Sequence, residues 1–130
     1  MFEKFSDSAR RVLFYARYEA SQTGSPHIGT EHLLLGLLKQ TEDAVREIFG
    51  RCEVSIPELQ AGGWAQLQRS DHISTSDEIP LHESCKKALH FALDEAKKLL
   101  HGHVGAEHLL LGLLRHKDST AGAILHEHGM

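Results

Sequence analysis

The sequence lacks the long apolar segments and the positive charge on which membrane and nucleic-acid binding depend. Of its 130 residues, 14 are Lys or Arg and 18 are Asp or Glu, so the formal net charge is −4. The longest apolar runs, 33–38 and 109–114, each contain a glycine and fall far short of the ~20 residues that a membrane-spanning helix needs. We therefore expect a chain that binds neither nucleic acid nor a membrane.

Cysteine is also scarce, and no catalytic pattern accompanies it. Cys52 and Cys85 stand alone, without the paired spacing of a metal or redox motif, which is typical of a protein in the reducing cytoplasm. The first residues do not have the pattern of a signal peptide. No G-x-x-x-x-G-K-[ST] phosphate-binding loop occurs. We expect a cytoplasmic protein that is not an enzyme, with no catalytic residues, no metal and no cofactor.

What the sequence does contain is an internal repeat. Thirteen residues, 27–39, recur as 103–115, and the match extends backwards without a gap, so that 15 of 34 positions are identical between 5–38 and 81–114. Such self-similarity indicates a tandem duplication. We predict a single domain over 1–130, made of a first repeat at about 5–67, a polar linker at about 68–78 and a second repeat at about 79–130.

Each repeat has the apolar spacing of helices. Ser6 is placed to cap the first helix, and Thr30 is placed to cap the second, Leu-rich helix. A third helix is predicted over about 43–49 in the first repeat and 120–126 in the second, and Pro57 begins a fourth helix in the first repeat only. Strand patterns are absent. The predicted fold class is therefore all-α, with two tandem pseudo-symmetric helical repeats packed into one domain.

The Leu-rich second helix is predicted to form the centre of each repeat. Gly36 and Gly112 lie in the middle of this helix, where glycine costs ~1 kcal/mol relative to alanine, so we expect another helix to approach closely there. Leu35 and Leu111 occupy matching positions and are expected to be almost fully buried. Cys85 lies on the apolar stripe of its helix and is expected in the core.

The repeated block Gly-[Thr/Ala]-Glu-His-Leu-Leu-Leu-Gly-Leu-Leu, together with the opening residues 2–12, resembles the Clp N-terminal repeat domain, and in particular its ClpC branch. The resemblance covers nearly the whole chain. It implies a module that recognises protein substrates or adaptor proteins for a Clp-type AAA+ ATPase and its protease. It also implies that the isolated chain is a monomer, because the ATPase rings build the hexamers of the family.

The resemblance also implies candidate ligand-binding residues. In ClpC-like members the acidic residue found here as Glu31 and Glu107 is implicated in holding phosphoarginine. Ser6 stands at the family's usual Thr position and is expected to supply a hydroxyl to the Glu31 site, with Thr30 beside it; the position matching Ser6 in the second repeat is His82. The alternative is a plain helix-start carboxylate, which contributes ~0.3–1 kcal/mol to stability through the helix dipole.

Two other functions stay open at this point. The chain could be a freestanding accessory regulator of a Clp machine, because it carries no ATPase motif of its own. It could also be a histidine-rich metal-binding protein, since it has eleven histidines, with the pairs His101/His103 and His126/His128 and the nearby His108. Zinc requires three or four convergent ligands, so incidental metal binding is expected there rather than a dedicated site. His32 and His108 are expected to be interior histidines, each hydrogen-bonded to another segment.

Overall fold

A computed structural model describes residues 3–39, 43–67 and 78–130, and within these ranges the chain forms seven α-helices. They are α1 (Asp7–Gln22), α2 (Thr30–Lys39), α3 (Asp43–Arg51), α4 (Ile56–Ala65), α5 (Glu83–Lys98), α6 (Ala106–Arg115) and α7 (Thr120–Glu127). These ranges contain no strand, only two isolated parallel bridges. The predicted all-α fold is confirmed. All but the last residue of the predicted linker at 68–78 lies outside the described residues.

Serine side chains cap three of the described helices. The hydroxyl oxygen of Ser6 accepts a hydrogen bond from the Ala9 N–H at 3.2 Å, so Ser6 caps α1 as predicted. Ser55 and Ser119 cap α4 and α7 in the same way. Helix α5 is capped by an imidazole: His82 Nδ1 accepts a hydrogen bond from the Ser84 N–H at 3.1 Å.

Helices α1 and α5 each cross the Leu-rich helix of their own repeat at its central glycine. A Cβ added to Gly36 would lie 2.5 Å from the carbonyl oxygen of Val12, and one added to Gly112 would collide with the carbonyl oxygen of Ala88. These distances are far below van der Waals contact. The glycines therefore allow two helix backbones to touch, which confirms the predicted close approach.

The two repeats differ in how well the centre is covered. Leu35 in α2 is buried, with 4% of its surface exposed, because α4 packs over it and Gly63 brings the α4 backbone against its side chain. Leu111 in α6 is only half-buried, so the expected full burial is wrong there. Among the described helices, none covers α6 at the place that α4 occupies over α2. The sequence periodicity is the same in both repeats and does not reveal this difference.

The end of α5 also departs from the pattern of the first repeat. Gly24 follows α1 in the left-handed region with φ of 69°, whereas the matching residue after α5 is Leu100, with φ of 59°. Leu100 is 92% exposed.

No helix of the described residues is long and apolar enough to cross a membrane.

Candidate functional site

The N-termini of three helices meet at a polar cavity of about 260 Å³, hereafter the Glu31 cavity. Helix α2 comes from the first repeat, and α5 and α7 come from the second. The cavity is lined by Ser25, His27, Gly29, Thr30, Glu31, His82, Ser84, Asp118, Ser119 and Thr120. Because a helix N-terminus presents unpaired N–H groups and a partial positive charge, this junction favours an anionic ligand group.

Two short backbone bridges bring the helix starts of different repeats together. The Ile28 N–H donates to the Pro80 carbonyl at 2.8 Å, and the His82 N–H donates to the Ile28 carbonyl at 2.9 Å. The beginning of α5 is therefore held beside the beginning of α2. The second bridge is its pseudo-symmetric copy: the Ser6 N–H donates to the Val104 carbonyl at 2.9 Å, which holds the beginning of α1 beside that of α6.

Because each bridge joins the two repeats, the expected pairing of site residues has to be corrected. Ser6 was expected to serve the Glu31 site, but the structure holds it beside the helix that Glu107 begins, and it is His82 that lines the Glu31 cavity. Each candidate site is thus built from both repeats. The expectation drawn from the resemblance took both residues of a site from the same repeat, which is why it placed Ser6 with Glu31.

The glutamate of each site folds back over a glycine. A Cβ on Gly29 would collide with Oε1 of Glu31, and a Cβ on Gly105 would collide with Oε1 of Glu107. The two carboxylate side chains keep 20% and 25% of their surface exposed. Within the part of the chain that the structure describes, neither has a Lys or Arg partner, so both carboxylates are available to pair with a cationic ligand.

A buried histidine follows each glutamate and accepts a hydrogen bond from the glycine. His32 Nδ1 accepts from the Gly29 N–H at 2.9 Å, and His108 Nδ1 accepts from the Gly105 N–H at 2.8 Å. A ring nitrogen that accepts an N–H bond carries no proton. The approach of Glu31 Oε1 to His32 Nδ1, at 3.3 Å, is therefore not an ion pair. The expected interior histidines are confirmed, although their partners belong to their own repeat.

Burial keeps these imidazoles neutral. It lowers the pKa of His32 below its usual value, opposed by the Glu31 charge, and it likewise lowers the pKa of His108, opposed by Glu107. His108 Nε2 also lies 2.7 Å from His101 Nδ1. Since His108 Nδ1 is an acceptor, its Nε2 carries the proton and donates to His101.

Stability is expected to fall in mild acid because of these two histidines. The unfolded chain takes up protons below the ordinary imidazole pKa of 6.5, whereas the folded chain holds both rings neutral to lower pH. The free energy of unfolding should then decrease by about 1 kcal/mol per pH unit for each ring as the pH falls from about 6.5 toward 5. Urea unfolding at a series of pH values measures this slope. His32→Gln keeps a hydrogen-bond acceptor but cannot titrate, so its slope should be shallower; an unchanged slope would contradict the assignment.

The other candidate residues have defined partners. Thr30 is not a cap of α2 but its first residue, and its buried hydroxyl oxygen accepts from the Ala121 N–H of α7 at 3.1 Å. It therefore helps join the two repeats at the cavity. Ser6 Oγ lies 3.0 Å from Ser8 Oγ. One of these two hydroxyl groups donates its proton to the other. The proton of the second hydroxyl group is therefore left to donate to a ligand.

Cys85 does not line the Glu31 cavity, although its thiol is close enough to Glu31 to feel the carboxylate charge. Cys85 is buried as expected, and burial raises the pKa of its thiol to about 12, so it does not form a nucleophilic thiolate near neutral pH. Within the described residues, no group of three or more His, Cys, Asp or Glu side chains is arranged to hold a metal ion.

Sequence reasoning missed several residues of the Glu31 cavity. His27 was missed, and so were Asp118, Ser119 and Thr120 at the start of α7, whereas His82 was named but assigned to the other site. The His27 and His82 rings meet edge to face, with centroids 5.6 Å apart. The signal that could have identified His27 is its identity with His103 within the repeated block. No signal in the sequence places α7 of the second repeat over α2 of the first.

Comparison with known proteins matches this chain to one family over nearly its whole length. The model of the family described as the Clp repeat (R) N-terminal domain matches residues 4–128. The chain is 34% identical over 130 residues to the "Negative regulator of genetic competence ClpC/MecB" of Bacillus subtilis, covering all of this chain and 16% of that protein. It is 36% identical over 129 residues to the "ATP-dependent Clp protease ATP-binding subunit ClpC" of Staphylococcus aureus, of which it covers 15%.

Solved structures show the same fold. The N-terminal domain of the chaperone ClpD from Arabidopsis thaliana superposes with a TM-score of 0.75 at 25% identity, covering 98% of this chain and 88% of that one. The Hsp104 N-terminal domain from Candida albicans superposes with a TM-score of 0.80 at 19% identity, covering 98% and 83%. The chain thus matches most of each of these N-terminal domains, but it spans only about one sixth of the length of the curated ClpC relatives.

Proposed function

Because the chain belongs to the Clp repeat (R) N-terminal domain family, we propose that it is a protein-interaction module that recognises substrates or adaptor proteins for a Clp-type ATP-dependent unfoldase and its protease. In this role it acts in cytoplasmic protein quality control, has no catalytic activity of its own and is a monomer when isolated. The match to ClpC proteins and the absence of a phosphate-binding loop from the sequence support this role.

The ligand proposed for the paired sites is phosphoarginine in a substrate protein. One observation carries this proposal: a carboxylate without a Lys or Arg partner in the described residues stands at a junction of helix N-termini. Phosphoarginine carries a cationic and an anionic part on one side chain. Its guanidinium can donate two parallel N–H bonds to the Glu31 or Glu107 carboxylate, and its phosphoryl group can accept from helix-start N–H groups.

The two sites are expected to bind with different strength. Beside Glu107, the Ser6 and Ser8 pair offers a hydroxyl proton that can donate to a phosphoryl oxygen. Beside Glu31, the corresponding place is taken by the bulkier imidazole of His82, whose Nδ1 is already bonded to the Ser84 N–H. With the pairing of residues corrected, the Glu107 site is therefore the stronger one near neutral pH.

Titration of free phosphoarginine into the isotopically labelled chain, followed by NMR, tests this proposal. Shifts are expected around both glutamates, and Glu107→Gln should weaken binding at its own site by about tenfold or more, because it removes a charge-assisted pair. Glu58→Gln is the matched control. Glu58 also lies in the first turn of a helix, but in α4 and away from the Glu31 cavity, so its loss should leave the affinity unchanged.

Three results would count against the proposal. Absence of shifts at millimolar phosphoarginine would leave the two glutamates with a stabilising role at helix starts only. Equal shifts with free arginine or with inorganic phosphate would show that the two halves of the ligand are not recognised together. A stronger site at Glu31 than at Glu107 would contradict the assigned contribution of Ser6 and Ser8.

A further inference from the structure

A groove on the outer face of α5 adjoins the Glu31 cavity. It has a volume of about 500 Å³ and is lined by Glu83, Lys86, Lys87, His90, Phe91 and His116. Ser84 lines both the groove and the cavity, and its Oγ lies 3.1 Å from His116 Nε2 at their boundary. A peptide whose side chain enters the Glu31 cavity can therefore continue directly into this space, which we call the α5 groove.

The α5 groove has positive charge that is only partly balanced. Lys86 Nζ lies 3.4 Å from the Glu83 carboxylate, an exposed pair on the same helix. Lys87 Nζ lies 5.8 Å from the centre of the Phe91 ring, and within the described residues Lys87 has no carboxylate partner. The pKa of His116 is lowered by burial and next by the Lys87 charge, and the Asp118 carboxylate opposes this shift. Lys87 itself lines the groove.

The Phe91 ring in the groove lies near two cationic side chains. The guanidinium carbon of Arg115 lies 4.4 Å from the ring centre, and Lys87 Nζ lies 5.8 Å from it. Arg115 itself is paired with Asp94 and Glu95, so its charge is already matched. The first repeat has the same pattern at the matching positions of α1, where Arg11 precedes Tyr15 as Lys87 precedes Phe91.

Building on the proposed recognition of phosphoarginine, we propose that the α5 groove is a specificity subsite that binds an acidic side chain of the substrate, one or two residues from the phosphoarginine held at Glu31. An extended chain advances ~3.3–3.6 Å per residue, so neighbouring residues of the peptide reach the adjoining groove. The acidic carboxylate pairs with the Lys87 ammonium, and its methylene carbons pack against the Phe91 ring. The preferred substrates of the Glu31 site are therefore arginine-phosphorylated segments with acidic neighbours.

The test compares two acetylated pentapeptides that share a central phosphoarginine and differ only in its neighbours, Glu on both sides in one and Gln on both sides in the other. Calorimetric titration is done on the chain carrying Glu107→Gln, so that the Glu31 site is measured alone. The Glu peptide is expected to bind about two- to fivefold more tightly, the range for one exposed ion pair. Adding Lys87→Gln should abolish this preference without changing the affinity for the Gln peptide, whereas Lys97→Gln, at the far end of α5, should change neither.

The outcomes separate this inference from the function on which it rests. Equal binding of the two peptides, or a preference that survives Lys87→Gln, would overturn the acidic subsite while leaving phosphoarginine recognition in place. Binding of both peptides to the unmodified chain but of neither to the Glu107→Gln chain would overturn the Glu31 site and its subsite together. Failure of both peptides on the unmodified chain would overturn the proposed phosphoarginine function as well.

Discussion

Replacing Leu35 by alanine is expected to lower the free energy of unfolding by about 2–5 kcal/mol, whereas the same change at Leu111 should cost only about 1 kcal/mol. The two leucines occupy matching places in the repeated block, but α4 covers Leu35 and leaves it 4% exposed, while Leu111 is half-buried. Truncation at Leu35 removes buried methyl groups and opens a cavity beneath Gly63. Truncation at Leu111 removes groups that are already in contact with solvent.

Denaturant unfolding monitored by circular dichroism measures both changes. The midpoints are compared between variants that have the same m value, the slope of the unfolding free energy against denaturant concentration. A shift in midpoint then reports a change in stability alone. Because the two sites are identical in local sequence, each leucine is the other's control. Equal losses at the two positions would show that α4 does not cover the first repeat in the way described.

Gly36→Ala is expected to destabilise the chain by about 2–3 kcal/mol, although alanine is the better helix former by ~1 kcal/mol. The added Cβ would lie 2.5 Å from the Val12 carbonyl oxygen and 3.0 Å from the Ala16 backbone nitrogen. Both are backbone atoms, so α1 as a whole has to move to relieve the contact. The displaced helix carries Ser6 at its start, so the Glu107 site is expected to be disturbed too.

Gly50→Ala provides the matched control for this prediction. Gly50 is also helical, in α3, but it is exposed and an added Cβ would meet nothing within 4 Å. This substitution should stabilise the chain by about 0.4–1 kcal/mol through helix propensity and the reduced freedom of the unfolded state. Thermal or urea unfolding of both variants distinguishes the two effects by their sign. A stabilising Gly36→Ala would mean that α1 and α2 do not touch at that residue.

Much of the secondary structure could be predicted because it depends on neighbouring residues. Apolar residues at helical spacing, the cap at Ser6 and the first-turn proline Pro57 depend only on the chain within a turn or two. Gly36 was informative for the same reason: a glycine in a Leu-rich helix is unfavourable locally, and its presence indicates a close neighbour. The repeat itself identified Glu31 and Glu107 as equivalent residues.

The sequence by itself thus determined the duplication, the all-α class, the helix starts and the pair of glutamates. Only the tertiary structure decided that the start of α5 lies beside α2 and the start of α1 beside α6, so that His82 joins Glu31 and Ser6 joins the Glu107 side. It also decided that Thr30 bonds to α7 and that Leu111 stays half-buried. The physical reason is that local periodicity specifies which face of a helix is apolar, whereas the partner of that face is chosen by packing between segments far apart in the chain.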